Sequence, residues 1–216
     1  MTSKQYHHGD LKTSLITAGN VILSRDGADA LSLRAIAAEA GVSHMAPYAH
    51  FKNKKELIKS IAEAGFVEMA ATMEAVAAEL KASKVVTSAE LVLAYGASYL
   101  EFATHNPELY RLMLGQVETT GRKIKKETSV SQLTPTESSI QVSVSPLFSE
   151  KTQKPFLLLK AAFAANDDHA EAKALGAWSM VHGMAALIIE GHIQPPKGIS
   201  FKRFLAATIP FSKSLT

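Results

Sequence analysis

Residues 31–57 read LSLRAIAAEAGVSHMAPYAHFKNKKEL, and the fold turns on this stretch. Ser32 stands where an N-cap is needed, its hydroxyl able to accept from the free amides of a first helical turn. Leu33, Ile36, Ala37 and Ala40 then recur at helical spacing on one face. Gly41 ends that helix where a left-handed backbone is called for, which glycine adopts without strain. Val42 is apolar and plugs the turn into a core. Ser43 reads as a second N-cap, opening a helix through about residue 50. Asn53 and Glu56 have capping-box spacing, so a further helix is expected to start there.

Helix, glycine turn, helix is the arrangement of a DNA-binding helix-turn-helix, whose second helix enters the major groove. The outward residues of that second helix suit the task. His44, Tyr48 and His50 carry hydrogen-bonding tips, Ala46 allows close approach, and Lys52, Lys54 and Lys55 follow at once. Lys54 sits near a helix N-terminus, where dipole and free amides favour a phosphate. The same spacing also describes a small helical hairpin with solvated lysines, and spacing alone does not separate the two. Pro47 departs from an ideal reading helix: it lacks an amide and crowds the preceding turn, so a short or locally distorted helix is expected.

Charge placement adds weight to the DNA reading. The 216-residue chain has a net charge of +3. Residues 1–55 hold seven Lys/Arg against four Asp/Glu, and the remainder is balanced at 16 of each. All the excess positive charge therefore lies beside the hairpin, as phosphate binding requires.

The wider stretch resembles a known family. YHHGDL at 6–11, DGADALSLRAIAAEAGVS at 26–43 and APYAHFKNKKEL at 46–57 are similar to the N-terminal domain of the TetR (tetracycline repressor-like) transcriptional regulators. The likeness runs without a gap from about Gly9 to Met69. It includes an apolar-Ala-x-x-x-Gly-Val-Ser pattern and a Tyr-x-His-Phe-x-x-Lys signature. Further on, Trp178-Ser-Met-Val-His182-Gly183 resembles the Trp/His/Gly motif of one C-terminal subgroup. The resemblance implies an all-α protein: a three-helix DNA-binding domain at 9–69 and a helical ligand-binding and dimerisation domain at 70–216. It implies a homodimer, a near-palindromic double-stranded DNA operator, and an unidentified small-molecule effector that releases a repressor. The expected DNA contacts are Ser32, Arg34, Ser43, His44 and Met45, with Ala46, Tyr48, His50, Lys52 and Lys54.

Taken in order, residues 1–9 read as a mobile arm, and the pair His7-His8 has no carboxylate or cysteine at metal-ligand spacing. Residues 10–24 read as a first helix stopped by Asp26-Gly27. The helix opened by Asn53 should reach about Leu80, with Ala62, Phe66, Met69, Met73, Val76 and Leu80 as one stripe, and Gly65 marking close packing or a bend. Ser88 is expected to cap a helix to about His105, and Asn106-Pro107 to open another ending at Gly115. Residues 116–153 include 13 Ser/Thr in 38 positions and read as a mobile loop, with a short strand-like or helical piece near 140–144. Pro155 should open an apolar helix through Ala165, broken at 166–168, before a helix at about 169–191 and a short one at 200–208. The two long helices after Pro155 are apolar nearly all round, which suggests burial against a second copy.

Other functional classes find little support. There is no Gly-rich phosphate loop, nucleophile elbow or His-Glu-x-x-His, so no enzyme, cofactor or metal is expected. With no cysteine, no apolar leader and no continuous membrane-length run, a cytoplasmic protein without membrane contact is expected. Candidate pocket residues are the large or polarisable side chains Phe66, Met69, Met73, Tyr95 and Tyr99, with Phe102, Met113, Trp178 and His182. His182 reads more readily as a core or interface histidine with a satisfied hydrogen bond than as a ligand contact. The competing function is a small all-helical enzyme or apolar-ligand carrier that never touches DNA.

Overall fold

The computed structural model describes residues 11–83, 85–119, 150–163 and 169–208. Among these the chain is all-helical, as expected. The helices are α1 (Leu11–Asp26), α2 (Leu33–Glu39), α3 (Lys54–Ser83), α4 (Ser88–His105), α5 (Pro107–Thr119), α6 (Glu150–Ala162), α7 (Ala170–Ile189) and α8 (Phe201–Thr208). Two 3-10 turns, Ala28–Ala30 and Ala46–Ala49, join the first three. The arm at 1–9, the piece at 140–144 and the break at 166–168 lie outside the described residues. The ends of the expected loop at 116–153 are helical, belonging to α5 and α6, and its middle lies outside.

The N-terminal head closes over Leu15, Ile22, Leu31, Ile36, Phe51, Leu57 and Ile61, all at most 3% exposed. Its last member, α3, continues for 30 residues and carries Phe66, Met69, Met73 and Ala77 into the second layer. The stripe expected along α3 drifts at its end: Ala77 is buried, while Val76 and Leu80 are only half-buried. Gly65 marks close packing. A Cβ there would lie 2.6 Å from Met113 Sδ and 3.2 Å from Leu109 Cδ1, so α5 lies directly on α3. Helix α4 runs through the middle, packed on α3, α7 and α8.

Several helix ends differ from expectation. Helix α4 is capped by Thr87, whose hydroxyl accepts from the Glu90 amide while the Glu90 carboxylate accepts from the Thr87 amide. Ser88 is therefore the first helical residue and not the cap. Thr87→Ala should cost about 1 kcal/mol, with Ser88→Ala near neutral, in chemical denaturation. The side-chain amide of Asn106 turns back to donate to the Phe102 carbonyl, closing α4, while its own carbonyl accepts from the Tyr110 amide. Helix α5 runs past Gly115 to Thr119. Pro155 lies inside α6, which starts at Glu150, so the proline follows the first turn and does not open the helix.

Helix α7 is 20 residues long with a mean hydropathy of 1.3, which by length and composition alone suffices to cross a membrane. It packs instead along α4 and α6. Only Ala174, Val181 and Ala185 are fully buried on it, and Leu187 is 43% exposed. Gly176, Gly183, Ala186 and Leu187 are its exposed apolar positions, while Trp178, Met184, Ile188 and Ile189 are half-buried against the core.

Candidate functional site

The head displays its candidate DNA contacts from a locked turn. Ser32 Oγ accepts from the Ala35 amide at 3.0 Å, leaving its own O–H to donate elsewhere. At the other end of α2, the Gly41 amide donates to Ala38 O and the Val42 amide to Ala37 O, with Gly41 at φ +67°. This paired closure sends the chain off at a fixed angle.

The expected helix from Ser43 through His50 is not formed as such. It is a 3-10 turn, Ala46–Ala49, whose N-cap position is Met45 and not Ser43. The bonds there step by three, with Ala46 N donating to Ser43 O, Tyr48 N to Met45 O and His50 N to Pro47 O. Pro47 is the physical reason: it has no amide to donate to Ser43 O, and its ring is buried. The turn still presents a compact face. Met45 is 61% and Tyr48 54% exposed, and Arg34, Ser43 and His44 are exposed beside them. Ala46 and His50 are half-buried.

Phe51, 1% exposed, anchors the end of this turn, with Lys12 Nζ 5.8 Å from its ring centroid. Next, Asn53 Oδ1 accepts from the Glu56 amide, while the Glu56 carboxylate accepts from the Lys52 amide, one residue earlier than a capping box. This pair starts α3 at Lys54. Lys52 and Lys54 are exposed, and Lys54 Nζ lies 3.5 Å from the Asp29 carbonyl, which holds it over the head. Arg25 pairs with Asp26 and Glu39, joining α1 to α2.

The second site is a narrow apolar cavity of about 30 Å³ between α3, α4, α6, α7 and α8. Of the expected pocket residues, Met73, Tyr95, Tyr99 and Trp178 line it. Phe66, Met69, Phe102 and Met113 are buried in the same core without lining it. Residues not foreseen complete the walls: Val92, Leu93, Gly96 and Leu159, then Ala177, Met180, Val181 and Leu205. Most of these are ordinary aliphatic core residues, with Gly96 and Ala177 the small ones, and nothing in their spacing marks them as pocket-forming.

His182 lies just behind that wall. The Tyr99 hydroxyl is 2.8 Å from His182 Nδ1 and 3.1 Å from the Tyr110 hydroxyl, and Tyr110 Oη donates to the His182 carbonyl at 3.4 Å. Trp178 packs against His182 in a tilted pair, centroids 4.8 Å apart at 44°, and meets Tyr99 and Phe156 edge-on. Burial lowers the His182 pKa to about 4, opposed by a hydrogen bond to the Trp178 backbone. Burial raises Tyr99 well above its ordinary value, helped by Tyr110. Glu190 takes no part; it pairs with Arg111 of α5 at 2.9 Å. Among the described residues no group of three or more His, Cys, Asp or Glu is arranged to hold a metal.

Two families of known sequence match the chain. Residues 15–61 match the bacterial regulatory proteins of the tetR family, and residues 92–208 match the tetracyclin repressor-like C-terminal domain. No curated protein matches significantly. Among solved structures, a protein of unknown function from Rhodococcus sp. RHA1 is 26% identical with a TM-score of 0.69, covering 99% of this chain and 97% of that one. A bacterial regulatory protein of the tetR family from Rhodococcus RHA1 is 17% identical, with a TM-score of 0.54 over 99% and 96% of the two chains. The transcriptional regulator FadR from Bacillus subtilis, in complex with stearoyl-CoA, is 13% identical with a TM-score of 0.55 over 94% of each.

Proposed function

This chain belongs to the TetR family of bacterial regulatory proteins, and on that footing we propose a cytoplasmic homodimeric repressor released from a near-palindromic operator by a small molecule. It is a ligand-responsive, DNA-binding transcriptional regulator and not an enzyme. Residues 9–69 form the DNA-binding domain and residues 70–216 the ligand-binding and dimerisation domain, the latter of the Trp/His/Gly-motif subgroup.

The observation that carries the reading is the exposed face of His44, Met45 and Tyr48, held on a locked turn between Arg34 and the Lys52/Lys54 pair. Tyr48, His44, Met45 and Ala46 meet base edges. Ser32, Arg34, Ser43, His50, Lys52 and Lys54 meet phosphates, which fix register without reading sequence. Two copies read half-sites about 34 Å apart or a multiple of it. The uncovered face of α7, with Gly176 and Gly183 open to close approach and Leu157 of α6 49% exposed, is where the second copy packs.

Release follows from the hydrogen-bonded trio. A ligand between Trp178 and Tyr99 displaces the Tyr99 hydroxyl, which bridges His182 of α7 and Tyr110 of α5. Helix α5 packs on α1 of the head and on Gly65 of α3, so its shift reorients the head. Coupling of this kind is typically about 1–3 kcal/mol.

The test is binding to the DNA immediately upstream of the coding region, at two salt concentrations. Lys54→Ala should weaken binding about evenly across sequences and flatten the salt slope by about one unit, whereas Tyr48→Ala should erode preference for the cognate site. A flat salt response, with no preference over random DNA, would sink the repressor reading in favour of a purely structural hairpin.

A further inference from the structure

We propose that the effector is an uncharged, largely apolar ring compound, admitted to the cavity by the outward step of Leu205 on α8. The inference rests on the repressor reading for its biological meaning but is tested separately from it.

The wall decides the charge. None of the residues lining the cavity is Asp, Glu, Lys or Arg. One ion pair, Lys154 with Glu74 at 2.9 Å, bridges α6 and α3 outside the lining, and after burial the Glu74 charge helps hold the Tyr95 hydroxyl above its ordinary pKa. Of the polar groups close by, the Tyr99 hydroxyl is bonded to His182 and Tyr110, His182 also meets the Trp178 backbone, and Tyr95 brings a second, uncharged hydroxyl to the lining. Burial keeps the His182 imidazole neutral at physiological pH. A carboxylate or ammonium entering this space would lose its water and find no counter-charge, at a cost that removes most of its affinity.

The shape decides the ring. Trp178 and Tyr99 meet edge-to-face at 5.3 Å, and a planar guest can continue that packing between them. Met73 and Met180 supply soft walls that adapt to an imperfect fit. The cavity as it stands holds no more than a water-sized group, so a side chain must yield. Leu205 is the one to do so. It is the single buried residue of α8 and touches the cavity at Gly96, where a Cβ would stand 3.0 Å from Leu205 Cδ1. Withdrawing one leucine of an eight-residue helix disturbs less packing than moving any residue of α3, α4 or α7.

Trp178 is the only tryptophan of the chain, so its emission reports the cavity directly. The full chain is titrated with three compounds on one skeleton: 4-methylbenzyl alcohol, 4-methylbenzoate and 4-methylbenzylammonium. The alcohol should shift Trp178 emission saturably, with a Kd at least about tenfold below that of either ion. Gly96→Ala should weaken the alcohol several-fold, and Leu205→Ala, which widens the same space, should tighten it. Equal or tighter binding of an ion overturns the inference, as does emission unmoved by all three. Release of the upstream DNA is read in parallel. Saturable Trp178 binding without release supports the ligand class and overturns the release mechanism. Release by an ion that leaves Trp178 unmoved overturns the ligand class and leaves the regulator standing.

Discussion

Phe51→Ala should destabilise the DNA-reading head by about 3–5 kcal/mol, the largest effect expected of any single change there. The ring is 1% exposed and sits where the 3-10 turn meets α3, so its loss leaves a cavity under the proposed DNA contacts. The head is small, and domains of such size carry only about 5 kcal/mol or somewhat more in reserve. DNA binding should therefore be lost, while Trp178, far along the chain, keeps its native emission. Far-UV circular dichroism and Trp178 emission, followed together through a urea titration, separate the two: the helical signal should fall in two steps, the first without a change at Trp178. Phe51→Leu should restore most of the loss. A cost below about 1 kcal/mol for the alanine variant would show that the turn does not depend on this anchor.

Acid should act through His182. Its folded pKa of about 4 lies below the ordinary 6.5, because burial disfavours the charged ring. Above pH 6.5 the imidazole is neutral folded or unfolded, and the stability tied to it is fully present. As the pH falls from 6.5 toward 4, the unfolded chain takes up a proton that the folded chain refuses, and stability drops by up to about 3 kcal/mol. Urea midpoints measured between pH 7 and pH 4.5 should show this loss, and His182→Gln should flatten the curve across that window. Superimposable pH profiles for the two proteins would rule out His182 as the titrating group.

The head was legible because its signals are local. Ser32, Gly41 and Asn53 act on atoms within a few positions, and each does in the structure what its spacing implies. Pro47 was visible as a conflict, yet its outcome, a 3-10 turn displacing Ser43 from the cap, depends on Phe51 and Pro47 being pulled into the core together. At α4 two adjacent hydroxyls compete for the cap, and it is Thr87, with Glu90 three residues on, that completes the box. The cavity was only half legible. Tyr95, Tyr99 and Trp178 stand out by size, but Gly96, Ala177 and Leu205 become walls only because α4, α7 and α8 meet at them. The bond between Tyr99 and His182 spans 83 positions and leaves no mark in either neighbourhood.

In the proposed homodimer, the exposed strip of α7 ties this regulator's lifetime to its abundance. On that proposal, an unpaired chain keeps Ala186 and Leu187 exposed to water. Pairing removes that surface only at the folded end of the equilibrium, so melting temperature should climb with protein concentration. Few copies per cell would mean not only empty operators but shorter-lived molecules, cleared by proteases before they pair. A modest fall in synthesis would then be amplified into a steeper fall in bound repressor, giving the switch a threshold that neither site supplies by itself.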